Sequence, residues 1–489
     1  TTLFRSDVSK ADNGATFTAK ELSRLPVQLS VDSIVQLAPN TTRTDSRYAG
    51  ASMAGGAASE NAYYINGFPV TNPLTQMGAS ELPFGAIEQA QILTGGYSVE
   101  FGRSIGGVVN ITTKSGKNNW EAGGMISIQP KSLRAKPEDI YYTKTGAKEN
   151  AATDGTLFRR RADNTSEETI LGGYVGGPII KDKLFMFLAA ESRKTQTSGV
   201  TPDNRGNRTA TALDSNGWEE ADRKITRYLG KFDWYLNDDH RLELTLIGDK
   251  PSDDYSYYSY NYDNKARGSK AVSTEHWENA AVGNTPTNGA ETQILSYTGN
   301  LTNNLIATVL YGQSTSKHVN EFGGYVNKPR VIALPANQAP GITYSNPQSI
   351  SGNILPDGAE DKISSFRMDL EYKLGQHTIR AGLDNNKMES IKAGEQMPAG
   401  KVWQYVKFSD PSKIPPVFGT QLPDISKGFG PLAAQGYAVR ENIFSTVTNS
   451  YAEQSAQYIE DRYQVTPTLL VTAGLRNEQF KNQNGDKTT

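Results

Sequence analysis

Residues 365–374 have the sequence SFRMDLEYKL, in which apolar and charged side chains alternate without a break. The apolar side chains occupy the even positions from Phe366 to Leu374, and the charged side chains occupy the odd positions from Arg367 to Lys373. A helix would scatter these charges around its circumference, whereas a strand places them all on one face. The segment therefore predicts a β-strand with one apolar face and one charged face.

The same pattern recurs along most of the chain. Residues 377–384 alternate in the same way and follow after only two residues, Gly375 and Gln376, which predicts a hairpin. Similar segments begin at Trp120 and are predicted at residues 120–128, 169–180, 184–191, 227–236, 241–246, 293–301, 305–313, 365–374, 377–384, 458–465 and 469–476. The sequence therefore predicts about eleven antiparallel strands.

The connections between these strands alternate in length. Short turns follow the second, fourth, sixth, eighth and tenth strands, whereas long polar segments follow the others, at about 130–167, 196–220, 249–291, 314–362 and 385–450. A soluble β-sandwich has no reason to place every long loop at one end, but an outer-membrane β-barrel has short periplasmic turns and long extracellular loops. We therefore expect a transmembrane antiparallel β-barrel, with its charged faces lining a lumen and its apolar faces in contact with lipid.

Composition excludes several other classes of protein. The 50 Lys and Arg residues nearly balance the 52 Asp and Glu residues, which argues against a nucleic-acid partner. The chain has no cysteine, so a disulfide framework and a thiolate metal site are excluded. Its 4 histidines are far apart in sequence, and we expect neither a metal site nor a cofactor. The longest apolar run, residues 184–190, is far shorter than the ~20 residues of a transmembrane helix.

Residues 1–116 differ in character from the rest of the chain. Their short apolar segments predict helices at 17–25 and 31–38, and strands at 61–67 and 107–113. Residues 87–94 fit either a helix or a strand. We expect a mixed α/β domain over 1–116 and the barrel over 117–489. A lumen that holds such a domain needs many more strands than eleven, and an open sheet edge in lipid is untenable, so about half of the barrel is expected beyond Thr489.

A tyrosine-rich segment is the first candidate for substrate contact. Residues 252–264 are predicted to lie in an exposed loop and carry five tyrosines, namely Tyr255, Tyr257, Tyr258, Tyr260 and Tyr262. Their rings offer stacking faces and their hydroxyls offer hydrogen bonds to a ligand. The alternative is a loop that packs only on its neighbours. The aspartates of this segment lack the ligand spacing of a known calcium loop.

Residues 102–106, GRSIG, match the pattern of a hydrolase nucleophile elbow. That elbow needs a helix after its serine, whereas strand-like residues follow here, so we expect no catalytic residue. The glycines instead predict a sharp turn with close backbone approach. Nearby, Glu100 and Arg103 are candidates to pair with charges on the barrel wall, because buried charge must be paired. The alternative is that both lie in a solvated gap.

Two longer motifs carry a family resemblance. Residues 61–67 (NAYYING) and 95–116 (GGYSVEFGRSIGGVVNITTKSG) closely resemble the plug domain of TonB-dependent outer-membrane receptors. Residues 176–187 (GGPIIKDKLFMF) and 459–469 (IEDRYQVTPTL) are similar to the Oar-like branch of that family. The resemblance implies a plug domain inside the lumen of a barrel of about 22 strands. Within the plug motif, the candidate structural residues are Asn66, Gly67, Gly106, Gly107 and Asn110.

The resemblance also implies a function. In this family the TonB–ExbB–ExbD complex of the inner membrane pulls on the receptor and rearranges the plug, which admits an extracellular substrate to the periplasm. Substrate is expected on the outer loops and the upper plug, including Asn72 and Gln76. The alternative function is a surface-exposed binding or scaffold protein that engages a lipoprotein, a polymer or a secretion partner without active import. Both functions imply the outer membrane of a Gram-negative bacterium.

Overall fold

The computed structural model describes residues 13–22, 31–43, 50–72, 80–102, 104–200, 217–261, 264–279, 289–342, 344, 346–348, 353–416 and 421–485. Strands predominate in these residues, and they form a five-stranded sheet near the N-terminus and a twelve-stranded sheet after it. No helix within these ranges is both long and apolar enough to cross a membrane.

The N-terminal unit is a small mixed α/β structure. Its elements are β1 (Asn13–Thr18), α1 (Ala19–Leu22), α2 (Val31–Val35), β2 (Thr41–Arg43), β3 (Ala51–Met53), β4 (Ala62–Ile65), β5 (Phe68–Pro69), β6 (Ile87–Gly95) and β7 (Val108–Thr113). The main sheet has the order β1-β6-β7-β4-β5, in which only β4 and β7 are parallel. The segment at 87–94 that fitted either a helix or a strand is therefore a strand.

The predicted helix over residues 17–25 was wrong at its start. Residues Asn13 to Thr18 form strand β1, which pairs with β6 along its whole length. Cross-strand hydrogen bonds outweigh the local helical pattern here, because strand formation depends on the available partner. The helix begins at Ala19, where the Glu21 carboxylate accepts the backbone N–H of Thr18 at 2.9 Å. Residues 23–25 lie outside the described residues, and α2 is shorter than the predicted 31–38.

The remaining strands are, in chain order, β8 (Glu121–Gln129), β9 (Ile140–Tyr141), β10 (Leu157–Arg159), β11 (Thr165–Ile180), β12 (Leu184–Val200), β13 (Trp218–Tyr235), β14 (His240–Asn261), β15 (Ala266–Glu278), β16 (Glu291–Thr302), β17 (Leu305–Phe322), β18 (Arg330–Ile332), β19 (Ala359–Leu374), β20 (His377–Ala393), β21 (Gln396–Lys407), β22 (Tyr437–Ser445), β23 (Thr448–Thr466) and β24 (Leu469–Gln483). Strands β9 and β10 form a separate hairpin. Strands β18, β21 and β22, with the short helix α3 (Pro431–Ala434) before β22, form a small separate sheet. The other twelve strands form the large sheet.

The large sheet has twelve strands in the described residues, whereas about eleven were predicted. The additional strand is β15. It pairs with Ser252–Asn261 of β14 and with the last residues of β17, whereas β16 pairs with β14 only up to Gly248. The connection after β14 therefore continues the sheet instead of leaving it as a loop. Closure of the sheet into a barrel and a total of about 22 strands remain predictions.

The two faces of the large sheet differ as the alternation predicted. On β19, Arg367 and Asp369 are buried, while Phe366 and Leu374 are 39% and 54% exposed. The charged face is the inner face, because it packs against the N-terminal unit. Apolar side chains of the N-terminal unit and of the large sheet form one hydrophobic cluster, which includes Ile65, Phe68, Phe187, Leu229, Ile247, Ile294, Leu310 and Ile363.

The outer face carries a continuous apolar belt near the short turns. Leu244, Leu295, Tyr311 and Phe366 lie next to one another in register on four successive strands, and all four are exposed. Further members are Leu171, Leu188, Trp234, Leu383, Ile459 and Leu475. Such a belt is typical of the lipid-facing surface of an outer-membrane barrel.

Candidate functional site

The loop after β6 carries Glu100, which lies between two arginines of the large sheet. Its Oε2 atom is 2.5 Å from Nη2 of Arg367, and its Oε1 atom is 2.7 Å from Nη1 of Arg380. Arg367 also pairs with Asp369 at 2.8 Å, and the Tyr458 hydroxyl bonds to the same aspartate. The two arginines and one aspartate of the sheet leave an excess positive charge, which Glu100 of the N-terminal unit neutralises.

The backbone of the same loop is held by charged side chains. The N–H of Val99 donates to Oε2 of Glu460 at 3.1 Å, and Nη1 of Arg476 donates to the carbonyls of Val99 and Glu100, both at 3.3 Å. The sheet comes very close here, since a Cβ atom on Gly474 would lie 2.7 Å from Cγ1 of Val99. Strands β19, β20, β23 and β24 thus contact this loop together.

A second anchor contacts the segment before β6. The backbone N–H of Glu81 donates to Asp249 at 2.9 Å, and that of Phe84 donates to Glu191 at 3.0 Å. Both carboxylates are also bonded to Arg227, at 3.1 Å and 3.0 Å. One buried guanidinium therefore orients two carboxylates, whose second oxygens accept hydrogen bonds from the N-terminal unit.

Asn66 and Gly67 form the tight turn between β4 and β5. Their φ angles are 49° and 80°, which a type I′ hairpin requires. The Asn66 side chain accepts the N–H of Thr113 at 2.9 Å and donates to the hydroxyl of Thr245 on the large sheet at 3.3 Å. The next residue, Phe68, is fully buried against Gly312, where a Cβ atom would lie 2.5 Å from the phenyl ring. This turn therefore contacts the large sheet through one side-chain hydrogen bond, from Asn66, and through one buried apolar side chain, that of Phe68.

The turn at Gly106 and Gly107 is closed by side chains of the N-terminal unit. Oδ1 of Asn61 accepts the N–H of Gly107 at 3.1 Å, and its Nδ2 donates to the carbonyl of Ala51 at 2.6 Å. The Ser104 hydroxyl donates to the carbonyl of Gly107 at 2.8 Å. This hydroxyl, which the elbow pattern would have made a nucleophile, therefore stabilises the turn.

Four of the predicted plug residues line one cavity between the N-terminal unit and the large sheet. The cavity has a volume of about 420 Å³. Its lining includes Asn66, Gly67, Glu100, Asn110, Arg367, Asp369 and Arg380. Arg103 lies outside the described residues. Among the residues that are described, no His, Asp and Glu side chains are grouped so as to hold a metal ion.

The prediction of a tyrosine-rich loop was wrong, because residues 252–261 belong to strand β14. The strand continues because β13 pairs with it as far as Trp218 and Tyr258. Alternation then separates the tyrosines, and Tyr255 and Tyr257 lie on the inner face while Tyr258 lies on the outer face. Tyr260 is buried, stacks on Trp218 at 5.7 Å and donates to Asp163 at 3.2 Å.

Two further predicted residues, Gln76 and Tyr262, lie outside the described residues. Asn72 is described and follows β5 in the N-terminal unit.

Tyr255 and Tyr257 lie beside residues that sequence reasoning missed. Their rings are parallel, with centroids 6.2 Å apart. Oε2 of Glu275 accepts the indole N–H of Trp277 at 3.0 Å and the Tyr257 hydroxyl at 3.5 Å. Burial raises the pKa of Tyr255 to about 12, so that its phenol remains a neutral donor. The signal available in sequence was the spacing of Glu275 and Trp277, two residues apart as on one face of a strand.

Two known protein families match parts of this sequence, one in the N-terminal unit and one in the large sheet. Residues 9–108 match the TonB-dependent receptor plug domain, and residues 200–488 match an outer membrane beta barrel domain. The TonB-dependent transporter Oar of Myxococcus xanthus is 28% identical over 236 residues, which cover 45% of this chain and 21% of Oar.

Solved structures share the fold. The outer membrane transporter YddB from Escherichia coli superposes with a TM-score of 0.58 at 14% identity, over 96% of this chain and 57% of YddB. The siderophore receptor PirA from Acinetobacter baumannii gives a TM-score of 0.53 at 16% identity, over 98% of this chain and 58% of PirA. The chain therefore spans less than two thirds of the length of each of these relatives.

Proposed function

Because the chain belongs to the TonB-dependent outer-membrane receptors, we propose that it binds an extracellular substrate and imports it into the periplasm. The family consists of receptors and transporters, and it resides in the outer membrane of Gram-negative bacteria. Residues 1–116 are the proposed plug domain, and residues 117–489 are the proposed first part of the barrel. Substrate binds to the outer loops and the upper plug, and TonB drives the movement of the plug that lets it pass.

The observation that carries this proposal is the polar attachment of the plug to the inner face. The backbone N–H groups of Glu81, Phe84 and Val99 donate to carboxylates of the large sheet. Each such hydrogen bond to a carboxylate contributes about 1.5–3 kcal/mol net, because water replaces the partner when the bond opens. A plug held in this way is stable at rest and can be released stepwise by a mechanical pull. The adjoining 420 Å³ polar cavity offers room for that water.

Of the predicted substrate residues, Tyr255 and Tyr257 fit this role best. Both lie on the inner face of β14, beyond Asp249, which contacts the plug. Tyr258 faces outward, and Tyr260 is buried by Trp218.

The import proposal predicts uptake that depends on TonB and on the proton-motive force. Cells carrying the full-length gene should deplete a compound from the medium, as measured by mass spectrometry. A strain lacking TonB should deplete it no faster than a strain lacking the gene. Uptake that persists unchanged after removal of TonB would reject the energised mechanism.

Movement of the plug can be tested with a reversible cross-link, because this chain contains no cysteine. The double variant V99C/G474C should form a disulfide between plug and sheet. A Cβ atom on Gly474 would lie 2.7 Å from Cγ1 of Val99, which is the position that the sulfur atom occupies after the substitution of Val99. Oxidation should block uptake, and a reducing agent should restore it, while the single variant V99C should respond to neither. Full uptake by the oxidised double variant would show that this loop does not need to move.

A second candidate function rests on the small separate sheet formed by β18, β21 and β22. Strand β22 is an edge strand, and its Val439, Ile443 and Phe444 are 55%, 77% and 40% exposed. An open edge with exposed apolar side chains suits the addition of a partner strand. This observation favours a surface scaffold that engages a lipoprotein, a polymer or a secretion partner. Co-purification of a stoichiometric surface partner, with activity unaffected by the V99C/G474C cross-link, would support it over import.

A further inference from the structure

Four aromatic side chains form a surface on the inner face of the large sheet, which we call the aromatic shelf: Tyr255, Tyr257, Trp277 and Phe322. They come from β14, β15 and β17, which are adjacent in the sheet. Tyr255 pairs in register with Glu275, which pairs in register with Phe322. The rings of Trp277 and Phe322 meet edge to face with centroids 5.8 Å apart. The shelf is therefore one continuous patch built from three strands.

The aromatic shelf lies on the extracellular side of the plug contact. Asp249 of β14 bonds to the plug, and Tyr255 follows it on the same face six residues later. At 3.2–3.4 Å per residue, the shelf is roughly 20 Å farther along the strand. Beyond the exposed Lys250, the outer face of β14 carries Ser252, Asp254 and Ser256, so the apolar belt has already ended at this level.

Glu275 places a carboxylate at the centre of the shelf. Its bonded neighbours, Trp277 and Tyr257, are neutral donors to the same oxygen, Oε2. Within the described part of the chain, no cationic side chain forms an ion pair with it, and Arg223 on β13 is held by both oxygens of Asp253 at 2.6 and 2.8 Å. Burial raises the pKa of Glu275, since part of its hydration is lost. Among the residues that the structure describes, Oε1 of Glu275 therefore has no hydrogen-bond donor, and the carboxylate has no ion-pair partner.

We infer that the aromatic shelf binds its ligand through a cationic nitrogen, an ammonium or a guanidinium, with Glu275 as the counter-ion. The faces of Tyr257 and Trp277 add cation–π attraction beside the carboxylate. A neutral ring would stack on the shelf equally well but would leave the carboxylate without a counter-ion, and an anion would be repelled. Binding is independent of energised import, and the inference rests on the proposed function only for the claim that this ligand is the transported substrate.

Three small probes test the charge preference. Benzyltrimethylammonium, benzyl alcohol and benzoate share a ring and differ in charge. Their equilibrium binding to the purified full-length protein in detergent is measured by saturation-transfer NMR. We expect benzyltrimethylammonium to bind at least tenfold more tightly than benzyl alcohol, and benzoate to bind most weakly.

Variants locate this preference at the shelf. E275Q keeps the size of the side chain and a carbonyl that accepts the Trp277 indole N–H, but removes the charge. It should lose the tenfold preference, which corresponds to about 1.4 kcal/mol. The matched control is E278Q on the same strand, where Glu278 pairs in register with the outward-facing Ser252, and this variant should retain it. W277L should weaken binding of both the cation and the alcohol.

Equal affinity for the cation and the alcohol, tighter binding of benzoate, or an unchanged preference in E275Q would each overturn the inference. An equal loss in E278Q would also overturn it, because the effect would then be general charge attraction. These outcomes are separable from a failure of the import proposal. Binding is measured without TonB. Uptake that is independent of TonB would reject energised import but would not affect the proposed cation site. Binding that is independent of ligand charge would reject the cation site but would not affect the import proposal.

Discussion

Replacing Arg367 with methionine is expected to lower the stability of the plug within the large sheet by roughly 3–5 kcal/mol, the usual cost of removing one partner of a buried ion pair. The substitution leaves Glu100 and Asp369 without the guanidinium that bonds both of them. Arg380 remains at 2.7 Å from Glu100 but cannot neutralise two carboxylates. The thermal midpoint of the plug and the rate of its proteolysis in the purified protein measure the loss.

Two further variants make this result specific. K387M removes a lysine that pairs with Glu389 on the outer face, where its side chain is 48% exposed, and should cost about 1 kcal/mol or less. The double variant R367M/E100Q removes one of the two orphaned charges and should recover part of the loss. If R367M were no less stable than K387M, the ion pairs around Glu100 would not hold the plug.

Replacing Gly106 with leucine is expected to prevent correct assembly of the plug. A Cβ atom at this position would lie 2.5 Å from Oδ1 of Asn61 and 3.3 Å from the carbonyl of Glu60. Overpacking of this kind costs about 1–3 kcal/mol. Displacement of Asn61 would also break its bond to the N–H of Gly107, which adds about 1–3 kcal/mol for a buried unsatisfied group. Limited proteolysis should therefore cleave the plug of G106L faster than that of the unaltered protein.

The matched control is G95L in the same domain. Among the described residues, a Cβ atom on Gly95 meets only Cβ of Asn13 within 4 Å, at the ordinary contact distance of 3.9 Å. This variant should keep the protease resistance of the unaltered plug. Resistance that stays unchanged in G106L would contradict the tight turn at this position, and equal sensitivity in G95L would mean that the plug tolerates no bulky substitution.

Strand positions and their faces were largely predictable, because alternation with a period of two is a local property of the chain. Residues 365–374 form most of β19, and their charged side chains face inward. The short turn at Gly375 and Gln376 and the other short turns between strands were also predictable, because only a few residues separate the alternating segments there. The motifs around residues 61–67 and 95–116 indicated the family independently.

Strand lengths were not predictable, because a strand ends where its partner ends. Tyr255 and Tyr257 were placed in a loop since their surroundings are polar, yet β13 and β15 pair with them and continue the sheet. Strand β1 was missed in the same way, since β6 supplies its hydrogen bonds. Glu275 and Trp277 gained a role only when β15 brought them beside those tyrosines.

The sequence by itself determined that the chain forms two-faced strands with their charges on one side, and it indicated Glu100 as a candidate for an ion pair with the barrel wall. Only the tertiary structure decided that Glu100 is paired, and that its partners are Arg367, 267 residues away, and Arg380. Local patterns depend on neighbours along the chain, whereas ion pairs of this kind depend on which strands the sheet places opposite the plug. That placement is set by the register of every intervening strand, so no short segment of sequence encodes it.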